Sequence, residues 1–116
     1  MTEGKFEFCE HIMVPLDKID PNPYQPREHD DPQVVLDLAA DIERNGLMQI
    51  PTARLSNKKD RYQLAFGHTR LAAFKHLAAA GRVEFQEMPL IIRDLDDLQM
   101  FEWAVAEPVG EVIVND

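Results

Sequence analysis

Along this chain the spacing of apolar positions changes several times, and each change predicts an element. Ile12, Val14 and Leu16 alternate with polar residues between His11 and Leu16, the pattern of a half-buried strand. Pro21, Pro23 and Pro26 follow within Asp20 to Arg27; they remove backbone donors and fix φ, which predicts a stiff, extended loop. Asp31-Pro32 reads as a helix N-cap followed by proline in the first turn. Val35, Leu38 and Ile42 then recur at helical spacing up to Asn45-Gly46, which predicts a helix over about Pro32 to Arg44. Gln49 to Leu55 and Arg61 to Phe66 read as strands joined by the polar turn Ser56 to Asp60. After Gly67 the period lengthens again: Leu71, Phe74, Leu77 and Ala78 form one stripe of an alanine-rich helix that ends at Gly81. Met88 to Ile92 is a short apolar strand. Leu98, Phe101 and Val105 mark a third helix, with Asp94, Asp96 and Asp97 at its positive end, and Pro108-Val109-Gly110 stops it. Glu111 to Asp116 either add a short strand or hang free. The order of elements is that of a small α+β domain with three helices and a mixed sheet.

Composition narrows the function. The 116 residues suit one core, and a chain that is 45% hydrophobic and 28% charged is expected to fold. A net charge of -9 opposes nonspecific attraction to duplex DNA, so any DNA contact must come from a local patch or another domain. Lys58, Lys59 and Arg61 offer such a patch, although a Ser-Asn-Lys-Lys-Asp run between two strands is more simply a solvated hairpin tip. Cys9 is the single cysteine, which rules out an internal disulfide and fits a reducing compartment. No apolar run approaches the roughly 20 residues of a membrane span, and Met1 to Glu10 lack a secretory pattern, so the cytoplasm is the expected location.

The chemistry concentrates where the second hairpin strand meets a helix. The N–H groups of a first helical turn point outward along the axis and carry the positive end of the macrodipole, so an anion can dock there. In Gly67-His68-Thr69-Arg70, the glycine permits close backbone approach, Thr69 offers a hydroxyl and Arg70 can fork onto two phosphate oxygens. The same residues also suit an ordinary turn, cap and surface arginine. His68 lacks a neighbouring second ligand and reads as a solvent-facing or capping residue, or as a pH-sensitive phosphate donor. In the stiff loop, Tyr24, Gln25 and Arg27 could meet a ligand at low entropy cost, or the loop could be a connector that packs Tyr24.

From about Ile12 to Glu107 the chain resembles the ParB N-terminal domains. Asp20-Pro-Asn-Pro-Tyr-Gln-Pro-Arg27 resembles their first box, and Leu38 to Pro51 is similar to their helix and Gly-Leu-X-Gln-Pro segment. Gly67-His-Thr-Arg-Leu-Ala-Ala73 falls where they carry a Gly-Glu-Arg-Arg box. The resemblance implies the fold shared by ParB, ParB-like nucleases and sulfiredoxin, with CTP or ATP and Mg2+ held among these boxes. It places Gln25 and Arg27 near the nucleotide, Gly46, Leu47 and Gln49 along the base or sugar, and Gly67, His68, Thr69 and Arg70 at the phosphates. Glu107 matches an acidic residue that helps bind magnesium. The expected organisation is a nucleotide-binding domain over 1–107 and a tail over 108–116, without the helix-turn-helix that reads DNA in segregation proteins.

Departures from the family pattern separate the alternatives. His68-Thr69 stand where segregation proteins carry Glu-Arg, and Pro108 replaces an asparagine that could support a metal, so nucleotide binding is expected more than hydrolysis. Sulfiredoxin chemistry needs a thiolate in the phosphate loop, and Gly67 to Arg70 contains none. A metal-dependent nuclease or nucleotide hydrolase would require His68, Glu107 and Asp41 or Glu43 to converge. A protein-interaction domain that has lost its ligand is the third class, with Val112-Ile113-Val114 able to pair with a sheet edge. Nucleotide-dependent formation of a homodimer is compatible with the first reading.

Overall fold

The computed structural model describes residues 11–24, 31–47 and 49–106. Strand β1 (Ile12–Pro15) passes through a 3-10 turn, Leu16–Lys18, into the two-residue strand β2 (Ile19–Asp20). Helix α1 (Pro32–Asn45) leads to the hairpin β3 (Thr52–Leu55) and β4 (Tyr62–Leu64), then α2 (His68–Ala79), a 3-10 turn at Val83–Phe85, β5 (Glu87–Ile92) and α3 (Asp97–Ala106). The five strands lie in the order β1-β5-β3-β4-β2. β1/β5 and β3/β4 are antiparallel, while β3/β5 and β2/β4 are parallel.

Alternation along the strands sends one set of side chains inward. Val14 is registered with Met88, Ile12 with Leu90, and Ala53 with both Leu64 and Ile92. Val14, Met88, Leu90, Ala53 and Leu64 are buried against Ala39 and Ile42 of α1 and Leu71, Phe74 and Leu77 of α2, the cluster that excludes most apolar surface from water. Phe74 meets Phe85 edge to face, with centroids 5.3 Å apart, closing the end of this core.

Local chemistry fixes the ends of the helices. The Asp31 carboxylate accepts the Gln33 N–H at 2.9 Å, with Pro32 in the first turn, as the sequence predicts. At α3, the Asp96 carboxylate accepts the Gln99 N–H at 2.8 Å, while the Gln99 side chain accepts the Asp96 N–H at 3.0 Å, a reciprocal capping box.

Three expected elements differ in the structure, and one strand was not expected. The strand placed at Gln49 to Leu55 begins only at Thr52, because Pro51 has no N–H to enter a ladder; its carbonyl still accepts the Ile91 N–H at 2.9 Å. The strand placed at Arg61 to Phe66 is shorter, since Ala65 and Phe66 bend toward Gly67. β2 is too short to leave a period and was not expected. The stripe assigned to α3 faces outward: Leu98, Phe101 and Val105 are 64%, 49% and 68% exposed. Met100 is buried with Ala65 and Leu95 in a second cluster, Ala104 is also buried, and Asp97, Gln99 and Glu102 are spread around the helix rather than gathered on a polar face that would reveal which side turns inward.

The hairpin tip also resolves. Arg61 is not part of a free basic patch, because its guanidinium grips Asp20 through Nε to Oδ2 at 2.9 Å and Nη2 to Oδ1 at 2.6 Å. Hydrogen bonding from Arg61 holds the Asp20 carboxyl below its ordinary range. A carboxyl with a depressed folded-state pKa adds stability above its unfolded value, and this is lost as pH falls through the folded value. The wild type should therefore lose stability relative to Asp20→Asn only below about pH 4, a difference read from denaturation midpoints at stepped pH. An identical acid limb in both proteins would contradict the pairing.

Candidate functional site

Between β4 and α2 the chain makes one tight turn around Gly67. Gly67 has φ +101°, in the left-handed region, and a Cβ there would lie 2.7 Å from Pro51 Cβ and 2.8 Å from Pro51 Cγ. Both conditions demand glycine. The surface beneath it is fixed, since Pro51 is tied to β5 and Ala65 N–H donates to Thr52 O at 2.8 Å.

The turn launches α2, whose first backbone bond runs from Leu71 N–H to Gly67 O at 2.9 Å. His68 and Thr69 are buried, and Arg70 is half-buried at the helix mouth. Arg70 Nη2 donates to Gln49 Oε1 at 2.6 Å, which joins two candidate residues 21 positions apart. Gly46 ends α1 with its N–H on Ile42 O at 2.7 Å, and Leu47 packs partly against the main core, so this segment delivers Gln49 to Arg70. Of the candidate residues, Gln49 and Arg70 are in contact, and Gly46 and Leu47 lie on the segment that leads from the end of α1 toward Gln49. Gln25, Arg27 and Glu107 lie outside the described residues.

His68 differs from the sequence reading in being neither solvent-facing nor aimed outward through Nε2. That nitrogen accepts the Asn22 N–H at 3.0 Å. Asn22, 2% exposed, donates through Nδ2 to Ala65 O at 3.1 Å and Met100 O at 2.9 Å, while its Oδ1 accepts the Tyr24 N–H at 2.9 Å. Tyr24 packs edge to face on Phe101 of α3, with centroids 6.2 Å apart, and Phe66 stacks on Trp103 at 4.8 Å. Sequence reasoning named Tyr24, Gln25 and Arg27 in this loop and passed over Asn22. A small amide between two prolines was the available signal.

Of the acids considered for a metal, Asp41 and Glu43 are used elsewhere. The Asp41 carboxylate accepts from Asn45 Nδ2 at 2.8 Å, and Glu43 pairs with Arg82. Among the described residues no three histidine, cysteine, aspartate or glutamate side chains gather in a metal-binding group. A separate cavity of about 510 Å³ is lined by Arg54, Asn57, Gln63, Arg93 and Asp97, among others, and by none of the candidate nucleotide residues. Arg54 within it donates to Gln63 at 2.9 Å and Leu95 O at 3.0 Å and pairs with Asp97 at 3.0 Å, anchoring the start of α3. No helix among the described residues is long and apolar enough to cross a membrane.

The family model of the ParB N-terminal domain matches residues 2–109, and the chain belongs to that family. A nucleoid occlusion protein of Oceanobacillus iheyensis is 30% identical over 105 residues, covering 90% of this chain and 35% of that protein. The chain therefore spans about a third of the length of this curated relative. Among solved structures, C-terminally truncated chromosome-partitioning protein ParB from Caulobacter crescentus, complexed with CTP-gamma-S, superimposes with a TM-score of 0.68 at 28% identity, over 91% of this chain and 56% of that one. Sulfiredoxin from Arabidopsis thaliana gives a TM-score of 0.62 at 19% identity over 81% of this chain and 96% of that one, a likeness of fold. The expected ParB/sulfiredoxin architecture is the observed one.

Replacing Gly67 by alanine should cost about 3 kcal/mol of stability, from left-handed strain and the clash with Pro51 together. Urea denaturation measures this; a loss below about 1 kcal/mol would show that the turn can relax.

Proposed function

We propose that this domain binds a nucleoside triphosphate, CTP or ATP with Mg2+, with its phosphates at the N-terminus of α2. The observation that carries the reading is the junction itself: a turn that only glycine fits, opening a helix whose first turn ends in Arg70 braced by Gln49. Family membership supports it, as does the likeness to a partitioning protein complexed with CTP-gamma-S. In this reading the phosphates meet the first-turn backbone, the Thr69 hydroxyl and the Arg70 guanidinium. His68 contributes its backbone N–H, because its side chain faces Asn22. Gly46, Leu47 and Gln49 border the sugar or base, Gln25 and Arg27 belong near the nucleotide, and Glu107 assists the cation.

The biological setting is that of the partitioning and nucleoid occlusion relatives, with DNA reached through a local patch or a further domain. Nucleotide state controls association of two copies, for which the exposed Leu98, Phe101 and Val105 of α3 supply apolar surface. Metal-dependent nuclease chemistry is the less supported reading, given the commitments of Asp41 and Glu43.

Titration calorimetry with each nucleoside triphosphate, with and without Mg2+, tests the proposal. CTP or ATP should bind, and Arg70→Ala should weaken binding by roughly 10- to 100-fold, the loss expected for charge-assisted hydrogen bonds to phosphate. An intact domain that binds no nucleotide overturns the function. Unchanged affinity in the variant overturns the site.

A further inference from the structure

We propose that Asn22 and His68 are positioning residues that hold the phosphate-facing turn in shape and make its shape depend on the seating of α3. The inference rests on the nucleotide reading for its ligand, but its structural half stands on the hydrogen bonds alone. Asn22 reaches both flanks of Gly67: its Nδ2 holds Ala65 O, two residues before, and its N–H is held by His68 Nε2, one residue after. The second Nδ2 proton goes to Met100 O, so the amide that shapes the turn also ties down α3. These partners lie 43, 46 and 78 positions from Asn22, and the side chain is 2% exposed, so water cannot replace them cheaply.

The chemistry at each position is restrictive. Two carbonyl oxygens converge on Nδ2, which requires a donor; the near-isosteric aspartate would place an acceptor against them. At position 68 the requirement is an acceptor for the Asn22 N–H, which a glutamine Oε1 can supply and a leucine cannot. A shared amide also makes the coupling reciprocal: whatever loosens α3 loosens the turn, and a ligand that orders the turn stabilises the α3 seat. The molecule carries its own reporter, since Trp103, the single tryptophan, sits on α3 and stacks on Phe66, the residue before Gly67.

The test compares wild type, Asn22→Asp, His68→Leu and His68→Gln, each checked for native circular dichroism. It reads affinity for CTP with Mg2+ by calorimetry and Trp103 emission without nucleotide. Asn22→Asp and His68→Leu should bind at least about ten-fold more weakly and shift Trp103 emission to the red, and His68→Gln should recover most of both losses. Folded variants with wild-type affinity and emission, or a glutamine variant as impaired as the leucine one, would overturn the proposal. If wild type binds no nucleotide, the ligand reading fails alone and the emission arm still decides whether Asn22 links the turn to α3. If the variants do not fold, amide exchange in the wild type decides: the Asn22 N–H should be protected together with the Met100 N–H of α3, and rapid exchange at Asn22 beside a protected α3 would overturn the link.

Discussion

One buried amide organises the side of the molecule on which function is placed. Asn22 has no core-forming surface to offer, and burying its polar atoms would cost stability unless each found a partner. Its N–H, both Nδ2 protons and Oδ1 do, and the partners come from the proline loop, the strand-to-helix turn and α3. Hydrophobic burial decides that α1 and α2 cover one face of the sheet. It does not decide where an exposed, mostly apolar helix such as α3 should rest. Directional hydrogen bonds from Asn22, the Arg54 anchor at Asp97 and Leu95, and the ring contacts of Phe66 and Tyr24 supply that choice.

The turn at Gly67 inherits its character from this arrangement. Pro51 lies so close that no side chain fits, and Asn22 grips the residues on either side, so the start of α2 is set in place before any ligand arrives. On the proposed nucleotide reading, a helix start already set in place, with Arg70 held by Gln49 beside it, would spare a phosphate group the cost of ordering the site. The net charge of -9 sharpens the point: attraction for an anion must be local here, because the molecule as a whole repels it.

Much of this was legible in the sequence because it is written in short-range signals. The Asp31-Pro32 cap, the glycine that ends α1 and the stripe Leu71, Phe74, Leu77 each depend on neighbours within about a turn, and each appears in the structure. What stayed hidden depends on distant partners. β2 consists of two residues and exists only because Tyr62 and Gln63 lie beside it. The buried face of α3 could not be read because Leu98, Phe101 and Val105 share the helical period of a core stripe, while Met100 and Ala104 do the packing. His68 is visible in the sequence as an isolated histidine, but its partner lies 46 residues earlier, on an asparagine that no local spacing links to it. At the candidate site the sequence named Arg70 and Gln49 separately, and the structure adds that they touch.

Amide chemical-shift mapping of the isotopically labelled chain on addition of CTP with Mg2+ decides whether a nucleotide's phosphates lie against the first turn of α2. If they do, the largest perturbations fall on Gly67, His68, Thr69 and Arg70, with smaller ones at Gly46 and Leu47. Perturbations centred on the Arg54 and Arg93 cavity, with Gly67 to Arg70 unmoved, would contradict that placement.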